Sequence, residues 1–195
     1  MKVPEIVLDA VAGRPDLQVS HETHGDMIDP EQWGSVLSPP DENGISTYRY
    51  LLWRVFDERL PVLIVMMLNP SKATHSEGDR TVDGLVRRAR RMGYGTVVVM
   101  NCFAYRATEP SEMRKAVDPI GPENDEILRR ILSQEGDLLC AWGVNATHME
   151  REKDVKWAIS TGKATPHYLR LCAGGAPEHP LYVPLATGLT RWSPI

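Results

Sequence analysis

The chain has 195 residues, 42% of them hydrophobic and 25% charged, which suffices for one domain with a sizeable core. No apolar run approaches the roughly 20 residues of a membrane-spanning helix, and the amino terminus lacks a basic region followed by an apolar stretch, so neither a membrane partner nor a secretory signal is expected. The net charge of −4 hides an asymmetry: residues 1–45 hold nine Asp/Glu against two Lys/Arg, a balance of −7, which leaves +3 on residues 46–195.

An acidic protein is a poor partner for nucleic acid, and a mildly basic body with an acidic arm is less poor. Residues 1–45 are therefore expected to form an acidic N-terminal extension, solvated or reaching a protein partner of unknown identity. Residues 46–195 are expected to form a single α/β domain. Within the arm, Ile6-Val7-Leu8 suits a short strand or a helix turn, and Gly13-Arg14-Pro15-Asp16 a turn. The loop Ser38-Pro39-Pro40-Asp41-Glu42-Asn43-Gly44 is the best boundary between arm and body. Tyr48 to Arg54 mixes aromatic and apolar residues and predicts a strand at the sheet edge.

The next stretch organises the chain. Pro61-Val62-Leu63-Ile64-Val65-Met66-Met67-Leu68 is a continuous apolar run that stops at Asn69-Pro70-Ser71. Such a run predicts a strand buried on both faces, in a parallel sheet covered by helices. Ligands of open parallel sheets bind beyond the carboxyl ends of the strands, where Asn69, Pro70 and Ser71 fall. Residues 72–81 form a loop, and Asp79 or Thr81 can cap the helix after it. Val82, Leu85, Val86, Ala89 and Met92 give that helix its apolar stripe, and Gly93 ends it. Arg87, Arg88, Arg90 and Arg91 lie mostly off the stripe, where they could bind phosphate or equally form a solvated face.

Thr96-Val97-Val98-Val99-Met100 predicts a second buried strand, parallel to the first. It too ends in an asparagine, Asn101, with Arg106 five residues on. Two parallel strands would put Asn69 and Asn101 on one rim, each a turn former or, with its one acceptor and two donors, a reader of a base edge or holder of a water. Pro110 to Val117 suits a short helix, and Pro122 a helix start whose stripe is Ile127, Leu128, Ile131 and Leu132. Leu138 to Gly143 is a third strand and its exit. Residues 145–160 make a weakly patterned helix in which His148 serves packing or surface. Tyr168 to Cys172 is a fourth strand, and His179-Pro180-Leu181-Tyr182 falls on the same rim if that strand is also parallel. The tail can pack back through Trp192. Cys102, Cys140 and Cys172 read as buried thiols of a reduced, cytoplasmic protein. None has metal-ligand spacing, so neither a metal nor a cofactor is expected.

Five blocks in order resemble the bacterial and phage family numbered 1643 among domains of unknown function. They are Met67-Leu68-Asn69-Pro70-Ser71, Asn101 to Thr108, Gly121-Pro122-Glu123-Asn124-Asp125, Ala141-Trp142-Gly143 and His179-Pro180-Leu181-Tyr182, spanning about Tyr48 to Pro184. The same order is more distantly similar to the uracil-DNA glycosylase superfamily. Leu68-Asn69-Pro70-Ser71 resembles its first motif, Asn101 its base-reading asparagine, Trp142-Gly143 its third motif and His179-Pro180 its fourth. That resemblance implies a three-layer α/β/α fold with a mainly parallel sheet of about four strands. It also implies roles. Asn69 would position a water, Asn101 would pair with a base, and His179 would donate to a base carbonyl. Pro70, Ser71, Arg106 and Trp142 would line the substrate. Asp79 is the nearest acidic candidate for a base, and Arg87 and Arg88 for contacts to nucleic acid. Ser71 replaces the usual Gly, and Leu181 replaces the Ser of the fourth motif. Three functions follow: a hydrolase of N-glycosidic bonds in DNA or nucleotides, a non-catalytic domain that binds a nucleobase or nucleic acid, and a scaffold.

Overall fold

The structure is a computed structural model that describes residues 3–24, 31–72 and 79–194. It begins with helix α1 (Glu5–Val11), strands β1 (Gln18–His24), β2 (Glu31–Leu37), β3 (Arg49–Val55) and β4 (Val62–Met67), and helix α2 (Arg80–Arg91). Strand β5 (Thr96–Asn101), helices α3 (Pro110–Met113) and α4 (Asn124–Leu132), and strand β6 (Asp137–Cys140) follow. Helix α5 (Arg151–Thr161), β7 (Thr165–Tyr168) and β8 (Thr190–Arg191) complete it.

All eight strands join one sheet in the order β1-β2-β3-β5-β4-β6-β7-β8. Pairings β5/β4, β4/β6 and β6/β7 are parallel, and the remaining four are antiparallel. The sheet is therefore mixed and eight-stranded, not mainly parallel with four strands. Continuous apolar runs reveal only strands buried on both faces. The polar strands β1 and β7 carry no such run.

Alternation along each strand divides the core in two. Ile64, Met66, Val98 and Met100 pack on one face with Val7 of α1, Ile127 and Ile131 of α4, and Val155 and Ile159 of α5. Leu63, Val65, Val97 and Val99 pack on the other with Val82, Leu85, Val86 and Ala89 of α2. Helices thus cover both faces.

Three local expectations change. Strand β3 is interior, with all seven residues buried between β2 and β5, rather than at an edge. Its cover comes from residues 1–45, the stretch expected as an extension: β2 pairs with β3 from Gln32↔Val55 to Leu37↔Arg49. Gly34 sits opposite Trp53, and a Cβ there would lie 2.1 Å from the indole, so that joint needs glycine. The fourth parallel strand is Thr165–Tyr168 rather than Tyr168 to Cys172. Pro166 and two polar residues hide it, whereas the apolar Leu169 lies outside the strand, buried in the cluster on the α2 side. Cys102 and Cys140 are buried as expected, but Cys172 is only half-buried. Trp192 does pack back, its ring 5.6 Å from that of Trp142, and His148 packs 5.8 Å from the Phe103 ring.

Candidate functional site

A cleft of about 470 Å³ opens at the carboxyl ends of β4, β5 and β6, within the size range of small-molecule sites. Asn69, Pro70, Ser71, Asp79, Asn101, Trp142 and His179 all line it. The strand exits stay zipped beyond the sheet: Cys102 N–H donates to Met67 O, Phe103 N–H to Leu68 O and Ala107 N–H to Pro70 O, each at 2.9 Å. That zipper holds the two asparagines on one rim.

Asn69 is oriented by its own backbone. Its Nδ2 donates to Ala107 O at 2.8 Å and Pro70 O at 3.2 Å. Two carbonyl acceptors settle which end of the amide is nitrogen. What Asn69 can offer a ligand is therefore the acceptor Oδ1. Asn101 is the last residue of β5, 4% exposed, and by strand alternation shares the α2 side with Val97 and Val99. Its carbonyl is braced from behind. Nδ2 of fully buried Asn124 donates to both Asn101 O and Cys102 O at 3.1 Å, and Arg151 Nε donates to Cys102 O at 2.7 Å. Arg151 in turn pairs with Asp125 at 2.5 Å.

His179 caps the 3₁₀ turn Pro180–Tyr182 with its side chain. Nδ1 accepts from Leu181 N–H at 3.3 Å, which leaves Nε2 as the protonated nitrogen of the neutral ring. Burial lowers the His179 pKa below the ordinary 6.5, and the charge of Asp79 opposes that shift. A neutral Nε2–H donor suits a developing negative charge.

Asp79 caps α2. Its Oδ1 accepts from Thr81 N–H at 2.8 Å and Val82 N–H at 3.3 Å, and its Oδ2 from the Ser71 hydroxyl at 3.1 Å. The carboxylate is thus fixed at the helix N-terminus, where the macrodipole favours it. Trp142 is 1% exposed, and Gly143 after it takes φ 69°, a left-handed angle that turns the chain out of β6.

Three of the expected residues do not line the cleft. Arg106 braces its loops, donating to Ser46 O at 3.0 Å and Lys72 O at 2.6 Å. Arg88 is buried, 3% exposed, and its guanidinium donates to Val183, Pro184, Leu185 and Thr187 carbonyls at 2.8–3.1 Å. It is a structural clamp and presents nothing to a phosphate. Arg87 is exposed on α2.

The cleft also contains groups that no motif announced. Arg49 of β3 is buried at its wall, and burial lowers its pKa to about 10, with Arg106 pushing the same way and Asp79 opposing. An arginine between two tyrosines in a mostly apolar strand was the available signal. Glu178 lines the cleft with its carboxyl held below the usual range by Arg170. Tyr182 stands at the mouth, 67% exposed, its ring 5.8 Å from His179.

A larger cleft, about 660 Å³, lies at the amino ends of the parallel strands. Five carboxylates line it and no cationic side chain among the described residues does. None of the convergent amide and imidazole groups reaches it, so the smaller cleft is the better site. Among the described residues no three His, Cys, Asp or Glu are grouped to hold a metal ion, and no helix is long and apolar enough to cross a membrane.

Fold and cleft together define an α/β protein with a polar cleft at the carboxyl rim of its parallel strands. The chain belongs to the family described as protein of unknown function (DUF1643), which matches residues 49–181. Among curated proteins and among solved structures nothing matches it. The matched span includes every cleft residue named above except Tyr182.

Proposed function

We infer that the cleft binds a nucleobase and that the chain hydrolyses an N-glycosidic bond, in DNA or in a nucleotide. The supporting observation is the convergence of an acceptor on Asn69, the amide of Asn101 and the Nε2–H of His179 on one cleft of nucleoside size. Asn101 pairs with the polar edge of the base. As the bond from the anomeric carbon to the base nitrogen breaks, its electron pair moves onto the base, and His179 stabilises that charge. The sugar carbon becomes electron-poor, and the fixed carboxylate of Asp79 stabilises it. Asn69 Oδ1 holds the water that adds there. The water oxygen stays on the sugar and its proton ends on the released base.

A second reading has its own support. Both oxygens of Asp79 already accept structural hydrogen bonds, so no free base is at hand in that residue. This favours recognition of a base without bond cleavage. Base release from single- and double-stranded oligonucleotides carrying uracil, hypoxanthine or oxidised bases separates the two. Release that falls at least about a hundredfold in Asn101→Ala and His179→Ala is the expected result. Binding without release, lost in the same variants, selects the second reading. Neither release nor binding leaves the fold as a scaffold and removes both.

A further inference from the structure

On an α-helix each residue advances about 100°. Along α2, Arg80, Gly84, Arg87 and Arg91 therefore fall within about 60° of one another, opposite the buried Val82, Leu85 and Ala89. All three arginines are exposed, and none has a hydrogen bond or ion pair among the described residues. Arg90 lies off this line and is held by Glu31. Asp83 flanks the line at its edge. The stripe starts at the cleft, because Asp79, Thr81 and Val82 line it on either side of Arg80.

The opposite lip differs. Glu109 lines the cleft there, and Glu112 of α3 pairs with Lys72 at 3.0 Å. A polyanion is thus attracted along α2, while the Glu109 carboxylate disfavours it at the cleft wall beside α3. The turn carrying His179 and Tyr182 is fastened to α2 through the Arg88 clamp. Tyr182 offers an exposed aromatic face and Leu181, 57% exposed, an apolar shoulder beside it.

We propose that α2 tracks the backbone of a single-stranded nucleic acid through Arg80, Arg87 and Arg91, with one base in the cleft and its neighbour stacked on Tyr182. This rests on the nucleobase reading of the cleft. At about 1.5 Å of rise per residue the arginines are about 10 Å and about 6 Å apart, on the order of one or two nucleotides of an extended strand. An aromatic platform beside a basic track suits unpaired bases, which a duplex does not present.

The test is binding of a fluorescein-labelled oligodeoxythymidine of about twelve nucleotides, an oligouridine of equal length and a duplex, each titrated with salt. Three phosphate contacts to a single strand give a slope of log affinity against log salt of about −2. Replacing Arg80, Arg87 and Arg91 together by Gln is expected to weaken both single strands more than about tenfold and flatten that slope. Arg129→Gln, an exposed arginine on α4, should change neither. Thymidine binding, followed by ligand-observed NMR, should persist in the triple variant and vanish in Asn101→Ala. An unchanged slope in the triple variant, a preference for duplex, or no strand binding by the parent overturns the track. Loss of thymidine binding by the parent overturns the cleft reading instead.

Discussion

Asn69 and Asn101 end adjacent parallel strands, yet they are held differently. Asn69 has both amide hydrogens fastened to backbone carbonyls, so its position is rigid and its function restricted to accepting. Asn101 has its carbonyl gripped by Asn124 while its side chain faces the cleft. His179 is set by a third device, the bond from Leu181 N–H to Nδ1. Protonation would place a proton on Nδ1 against that N–H, which disfavours the charged ring. Burial lowers the folded pKa below 6.5, which means the unfolded chain binds the proton first as pH falls. Stability is therefore lost as pH drops from 6.5 through the folded value, and regained on raising it. Urea midpoints followed across that window should fall more steeply for the parent than for His179→Gln, which keeps a donor but cannot titrate. Parallel curves would show that the imidazole is not buried in the folded chain.

At the scale of elements, α2 links the core, the cleft and the turn that carries His179. One sequence run, Arg87 to Arg91, reads as four equivalent charges, and the helix gives them unlike roles. Arg88 points toward the segment after Tyr182 and donates to four of its carbonyls, whereas Arg87 and Arg91 stay in solvent. The apolar stripe of α2 was legible because Val82, Leu85, Val86 and Ala89 repeat at helical spacing. The burial of Arg88 was not, because it depends on carbonyls some 95–99 residues away. The rim asparagines were legible for the same local reason: apolar runs stop at them. Arg49 stayed hidden because its strand joins the rim through β3/β5 pairing, which no local spacing reveals. Arg88→Met should cost roughly 1–3 kcal/mol, since it leaves the buried Val183 carbonyl without its charged donor while the carbonyls of exposed Pro184 and Leu185 can turn to water. Hydrogen exchange should also quicken at Tyr182 and Val183, whose N–H groups close the turn onto His179 O and Pro180 O. Equal exchange rates in the variant would mean that the turn holds itself without α2.

For the whole molecule, the question is what residues 1–45 do. Their charge of −7 and weak patterning read as a solvated arm, because β1 holds a single apolar residue, Val19, and the apolar residues of β2 do not alternate with polar ones. In three dimensions Val7 and Ala10 of α1 are buried against α4, and Val36 of β2 is buried in the same cluster. Arg130 of α4 donates to Ala12 O at 2.6 Å, and Arg14 pairs with Glu123 at the start of α4. Glu31 holds Arg90 of α2. The segment therefore touches both helical layers and completes the sheet beside β3. Removing it would uncover a strand whose seven residues are all buried, Trp53 and buried Arg54 among them. An exposed apolar edge pairs with other chains, so the shortened protein should aggregate rather than simply lose stability. Expression of residues 46–195 alone, followed by light scattering and thermal unfolding, puts this to the test. The expected outcome is scattering and no cooperative transition, because the hydrophobic face of β3 and the α1 contact of α4 are lost together. A monomer that melts within a few degrees of the full chain would instead make the segment an appendage, with its charge free for a partner. Gly34→Val probes the same joint in the intact chain: it forces a side chain into the Trp53 indole and should separate β2 from β3, giving the same loss without any truncation.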